Sequence, residues 1–287
     1  MSDLLAADFA RLLKSQVFHG MLIFCVECLT AEVVIGYMNK NLNIFYMQGL
    51  MKTNFIIFGI LLSIFIGLFI GSEYSDGTIR NKIVAGNSRT AIYVSNFIIS
   101  VIAGFIMQII FFLIPNILIP IIFSDESGGN TFLFDLIFNL VNQSQVIGLY
   151  IIIVYTAVFL FMAMIICSRS GATAAAMTTA VVIFAVGMVV HGALESYDPQ
   201  AAAAMEENES VVQYQSNYYG FGQRKPLKGF KLKMYLFLDD FLPSAQAQAI
   251  TGRIDENKAP KYVIYDVSVT AVTTGLGILL YNKKDLK

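Results

Sequence analysis

The sequence predicts an all-α integral membrane protein: six transmembrane helices, an N-terminal amphipathic surface helix, a short cytosolic helix between spans two and three, and a helical extracellular cap between spans five and six. Composition, the spacing of charges and the continuity of the apolar runs carry this expectation. Of 287 residues, 56% are hydrophobic and 14% charged, with a mean hydropathy of +0.67; soluble domains have about a quarter of their residues charged. Charge-poor intervals recur at the ~20-residue length a helix needs to cross roughly 30 Å of hydrocarbon. The runs are continuous rather than alternating, so helices and not barrel strands are expected.

Residues 2–14 alternate Leu4, Leu5, Phe9, Leu12 and Leu13 with Asp3, Asp8, Arg11 and Lys14, the period of a helix with one polar face lying on the inner membrane surface. The start lacks a basic region and a small-residue cleavage site, so no removable signal peptide is expected. The first span, 16–38, is apolar apart from Glu27 and Glu32. A charge at a helix centre costs roughly 2.5–3.5 kcal/mol on insertion scales, which makes both glutamates candidates for the translocation path; pairing or protonation between helices is the plainer reading. The second span, 53–72, holds Gly67 and Gly71, small residues four apart that allow close backbone approach, within a subunit or across a dimer.

A polar dozen, Gly71 to Lys82, follows directly, and a second apolar run resumes after Arg89. Asp76 is expected to cap a short helix, Gly86 to end it and Ser88 to cap the next. Ile79, Ile83 and Val84 form one apolar edge of that helix, with Arg80 and Lys82 elsewhere. Pro115 and Pro120 interrupt the third span, 92–123, so a kink or break is expected there, with Asn116 placed to satisfy freed backbone groups. The fourth and fifth spans are 146–167 and 171–190; the fifth opens on a small-residue face from Gly171 to Ala176. The segment 191–261 contains Asp198-Pro199, a helix start, then the turn Tyr218 to Gly222, then an apolar stretch ending Phe241-Leu242-Pro243-Ser244-Ala245-Gln246. The sixth span, 262–281, has Asp266 at its outer end.

Six spans put both termini on one side. That side carries nine of the lysines and arginines, against only Lys40 and Lys52 in the short loops opposite, so both termini are expected in the cytosol. The whole chain, 1–287, reads as a single transmembrane domain without an internal repeat.

Several chemistries are excluded or disfavoured. A net charge of -1 with no basic stripe argues against nucleic acid. Cys25, Cys28 and Cys167 lie in apolar runs, where Cys25-x-x-Cys28 reads as small buried hydrophobes rather than a metal or redox pair. His19 and His191 fall toward opposite faces, and HExxH and GxSxG are absent. There is no GxxxxGK[ST], so the chain is not expected to be an enzyme or to bind ATP.

Four places resemble the membrane subunit of type 2 ABC transporters, the exporter-like permeases that work with peptide-antibiotic and drug efflux ATPases. They are Ala7 to Lys14, Glu73-Tyr74 through Gly77-Thr78-Ile79-Arg80-Asn81, Leu242 to Gln246, and Tyr281 to Lys287. The resemblance implies that the segment 73–89 holds a coupling helix docking in a groove of a cytosolic ABC ATPase, shaped or braced by Glu73, Tyr74, Gly77, Thr78, Arg80 and Asn81, with Lys82 and Arg89 beside it. It implies a second permease subunit, identical or related, a plasma-membrane location among membrane lipids, ATP and magnesium held by the partner ATPase with no cofactor in this chain, and export of a peptide, antibiotic or lipid-like molecule. The external segment is longer than the family minimum. The translocation path would then involve Glu27, Glu32 or Asn116. Two other readings stand beside it: a non-transporting sensor or immunity protein that traps a ligand with the outer cap, and an ion-coupled secondary carrier using Glu27 and Glu32.

Overall fold

The computed structural model describes residues 1–38, 44–123, 131–166, 168–195, 229–250 and 259–284. Among them every regular element is helical: α1 (Ser2–Lys14), α2 (Gln16–Met38), α3 (Ile44–Ser75), α4 (Thr78–Val84), α5 (Arg89–Phe123), α6 (Thr131–Ile165), α7 (Arg169–Glu195), α8 (Gly229–Phe241), α9 (Pro243–Ile250) and α10 (Ala259–Lys283). Six of these, α2, α3, α5, α6, α7 and α10, are long and apolar enough to cross a membrane. The helices α5 and α6 each contain 35 residues, or about 52 Å at 1.5 Å per residue, which exceeds the hydrocarbon thickness by roughly 20 Å.

The centre of the bundle is α3. It shares that place with α6: 61% of the most apolar window of each is buried, against 22% for α2 and 11% for α10. The partner of α3 is α7, and small residues set their spacing. A Cβ on Gly67 would lie 2.5 Å from the Thr173 Cα, and one on Gly71 would lie 2.9 Å from the Arg169 Cα; at Gly59 it would collide with the Phe184 ring. Facing them, Ala172, Ala176 and Ala180 recur every fourth residue of α7 and are fully buried. Apolar area gives little drive to associate in lipid, so this close fit supplies the dispersion contact that holds the pair. The Gly67/Gly71 pair is therefore spent inside the subunit. A continuous apolar core then runs through Phe18, Phe58, Phe65, Phe69, Tyr155 and Phe159.

Local sequence sets the joints. Ser15 leaves α1 in an extended conformation (ψ 118) and its Oγ accepts from the Phe18 amide at 3.3 Å, so one residue ends α1 and caps α2. Gly77 (φ 67) and Gly86 (φ 89) adopt left-handed backbone on either side of α4, where glycine carries no Cβ penalty. Ser88 caps α5 by accepting from the Ala91 amide at 3.1 Å. Asp76, expected to cap α4, instead accepts from the Ser75 hydroxyl at 2.9 Å, and the capping position falls to Gly77 without a side-chain bond.

Three further expectations meet a different outcome. The helix α5 is continuous through Pro115 and Pro120, so the break expected there as one alternative does not occur; in a membrane, neighbouring helices and local adjustment re-satisfy the carbonyls that proline frees. The fourth span continues beyond its expected outer limit, since α6 begins at Thr131 rather than near 146, whereas α5 ends at Phe123 as expected. The Leu242 to Gln246 stretch, expected in an outer cap, packs into the bundle: Pro243 through Gln248 are buried, with α9 lying against α7, α6 and α3. The Ser244 Oγ donates to the Ile183 carbonyl at 2.8 Å, and Gly187 is required on α7 because a Cβ there would meet Ser244. The expected helix start at Asp198-Pro199, the turn at Tyr218 to Gly222 and Cys167 lie outside the described residues.

Candidate functional site

The densest polar assembly lies where α1, α3, α4 and α5 meet. Glu73, in the last turn of α3, is fully buried. Its Oε1 forms ion pairs with Arg11 of α1 at 2.6 Å and with the Lys82 ammonium of α4, and its Oε2 accepts from the Asn96 amide of α5 at 2.6 Å. Lys82 also pairs with Asp8 of α1 at 2.7 Å, and the other Asp8 oxygen accepts from the Ser95 hydroxyl at 2.6 Å. Two anions thus face two cations, and four helices are joined through side chains 8% or less exposed except Arg11, at 24%. The Arg11 guanidinium also stacks 3.8 Å from the Phe69 ring centroid, which covers its apolar face. A charge cluster this dry is stable only because each ion is compensated; removing one member leaves the rest uncompensated.

The network fixes the attitude of α4. Ile79 and Lys82, three residues apart, face inward together, so Lys82 shares the buried side rather than the solvent side. Arg80 and Asn81 are exposed, and Val84, expected on an apolar edge with Ile79, is 80% exposed. A seven-residue helix held by Lys82 and Ile79 thereby presents Arg80, Asn81 and Val84 outward as a unit.

Two other residues of the motif fasten neighbouring helix ends. The Tyr74 hydroxyl donates to the Met164 carbonyl at 2.9 Å, one of the last carbonyls of α6, which has no intrahelical partner. Arg89 opens α5 but reaches across to the end of α10, donating to the carbonyls of Tyr281 and Asn282 at 3.3 Å each and to that of Lys284. Its charge meets the negative end of the α10 dipole. Asn282 returns a bond to Thr90 at 3.1 Å. Gly77 and Thr78 form the entry to α4. The first and second of the resembling segments and the described part of the fourth, Tyr281 to Lys284, therefore converge at one end of the bundle, while Leu242 to Gln246 lies at the junction of α8 and α9.

The glutamates of α2 do not join this assembly. Glu27 is exposed among Ile23, Phe24 and Val26 on the outer face of α2. Glu32 is half-buried and, with the Asn54 amide in the orientation its surroundings require, accepts from Asn54 of α3 at 2.8 and 3.1 Å. Asn116 lies within α5, and its side chain is outside the described residues.

Asp8, Ser95 and Asn96 were not legible as site residues. Asp8 carried a signal: it stands four residues from both Leu4 and Leu12, on the stripe that turns out to be buried, although charge alone assigns it to the polar face. Ser95 and Asn96 are polar residues in an apolar run and gain meaning only from Asp8 and Glu73. No group of three or more metal-ligating His, Cys, Asp or Glu side chains occurs among the described residues. Neither a known family model nor a curated protein matches the chain.

Proposed function

We propose that this chain is the permease subunit of an ATP-driven ABC transporter, with both termini and α4 in the cytosol of a cell whose plasma membrane it spans. A separate ATPase would hold ATP and magnesium and dock on α4; a second permease subunit would complete the pathway, and a peptide, antibiotic or lipid-like molecule would be exported. The observation that carries this reading is the mounting of α4: a short helix whose inner side is tied by Lys82 to Glu73 and Asp8, and whose outer side offers Arg80, Asn81 and Val84. An element fastened to α1 and α3 by buried ion pairs moves with them. A push delivered to its outer face is therefore passed to the membrane helices rather than absorbed by a loose loop. The α1 helix, with Phe9 and Leu13 exposed beside Arg11 and Lys14, suits the inner membrane surface.

The test is isolation of the tagged full-length chain from native membranes with identification of associated subunits, repeated with Arg80→Ala and Val84→Asp. Recovery of an ABC ATPase with the wild type and its loss with the variants is the expected result. An ATPase-free chain that moves solute on a proton gradient alone would instead make it an ion-coupled carrier, and ligand capture without transport would make it a sensor or immunity protein.

A further inference from the structure

The helix α8 sits at the end of the bundle opposite α4, a depth fixed by two separate spans. On α7, Arg169 packs against Gly71 near the α4 end, whereas His191 pairs with Asp239 of α8 at 3.0 Å. The 22 residues from Arg169 to His191 are about 33 Å of helix. On α10, Tyr281 is tied to Arg89 at the α4 end, and Lys261, 20 residues earlier and about 30 Å away, is bound to Asp240 of α8. Both lengths match roughly 30 Å of hydrocarbon, so the second half of α8 lies at the level of the opposite membrane–water boundary.

The sequence of α8 suits that level. Phe230, Met234, Phe237 and Phe241 recur at i, i+4, i+7 and i+11 and form one apolar stripe, with Lys231 on one flank and Lys233 on the other. Phe230 is 82% exposed, and Met234, Phe237 and both lysines are exposed as well. The acidic residues Asp239 and Asp240 are turned inward, where His191 and Lys261 pair with them. The open surface of α8 is therefore apolar and cationic. Aromatic rings gather beside it: Phe237 and Phe241 stack at 5.4 Å and both meet the Tyr265 ring edge-on, at 5.9 and 5.6 Å. The Lys231 and Lys261 ammonium groups lie 5.8 Å from the rings of Tyr235 and Tyr265. Aromatic rings with lysines beside them are characteristic of a membrane–water boundary, where the lysine stems lie along apolar surface and the ammonium groups reach the headgroups. Lysine is depleted in protein–protein interfaces, whereas lysines flanking an apolar stripe mark a helix lying in the bilayer surface.

We propose that the apolar stripe of α8 lies in one leaflet of the bilayer and that Lys231 and Lys233 bind the phosphate groups of anionic phospholipids there. This surface is remote from α4 and stands whether or not the chain works with an ATPase. The sequence contains no tryptophan, so Phe230→Trp gives the full chain a single indole. In phosphatidylcholine vesicles, its emission should be quenched by lipids brominated near the carbonyl end of the acyl chain and little by iodide supplied on both sides. At equal mole fraction, brominated phosphatidylglycerol should quench it more than brominated phosphatidylcholine, a preference of up to about fivefold in local lipid affinity for each lysine, which molar salt removes. Lys231→Gln combined with Lys233→Gln should abolish that preference and leave quenching by phosphatidylcholine unchanged. Met234→Trp, one turn on in the same stripe, carries the measurement if F230W does not fold. An indole reached by iodide and not by lipid, which puts the stripe in water, overturns the inference, and so does one reached by neither, which means that protein covers the stripe. Equal quenching by the two lipids with both lysines present, or a preference that survives their removal, overturns it too.

Discussion

Substituting Glu73 with glutamine is the sharpest probe of the charge cluster, because it keeps volume and shape while deleting one charge. Its carboxylate lies 2.6 Å from Arg11, a separation at which two unit charges attract by about 6 kcal/mol at an effective dielectric near 20. Desolvation cancels much of that gross attraction. What survives in a variant is the cost of leaving Arg11 and Lys82 facing only Asp8, and breaking a buried pair by removing one partner costs about 3–5 kcal/mol. The folded-to-unfolded ratio should therefore fall by a factor of a few hundred to a few thousand. Lys82→Met should cost a similar amount for the opposite reason, by leaving two carboxylates against Arg11. The double variant restores balance between Asp8 and Arg11. It should be less damaging than the sum of the singles by about 1–3 kcal/mol. Reversible unfolding in mixed micelles, for the wild type, both singles and the double, measures this cycle. Singles within about 0.5 kcal/mol of wild type, or effects that add to within about 0.5 kcal/mol, would refute the view that these ions act as one unit.

Gly67→Ala places a methyl group 2.5 Å from the Thr173 Cα, a backbone atom that cannot step aside, so α3 and α7 must separate at a cost of about 1–3 kcal/mol; the same unfolding assay should show it at every protein concentration if the contact is internal to the subunit. Arg89→Ala removes the donor that closes α10 and should speed amide exchange in its last turn by about fivefold, or about 1 kcal/mol, read by hydrogen–deuterium exchange over Tyr281 to Lys284. Val84→Asp changes a side chain 80% exposed and should leave stability within about 0.5 kcal/mol of wild type while abolishing recovery of an ATPase.

The six spans were legible because a run of about 20 apolar residues has one energetic solution in a bilayer, whatever its neighbours do. The joints around α4 were legible for a similar reason: Gly86 and Ser88 act within a turn of their own positions. Lateral placement was not. Lys82 and Arg80 carry the same charge two residues apart, yet one is sealed inside and the other is exposed. Which of them is buried depends on whether Glu73 and Asp8 wait on the inner side, and Asp8 lies 65 residues upstream of Glu73 in the chain.

By itself, then, the sequence determined which segments are helices long and apolar enough to cross a membrane, where the polar hinge between the second and third of them begins and ends, and that the pattern GxxxxGK[ST] does not occur. Tertiary structure alone decided that Glu73 is the hub of a four-helix ion cluster, that Arg89 closes the end of α10, and that Gly67 and Gly71 face α7. The division has a physical cause. Hydrophobic transfer and helix propensity act on each segment as a local average, whereas the fate of a buried charge or a missing methyl group is set by the single partner that packing brings within a few ångströms.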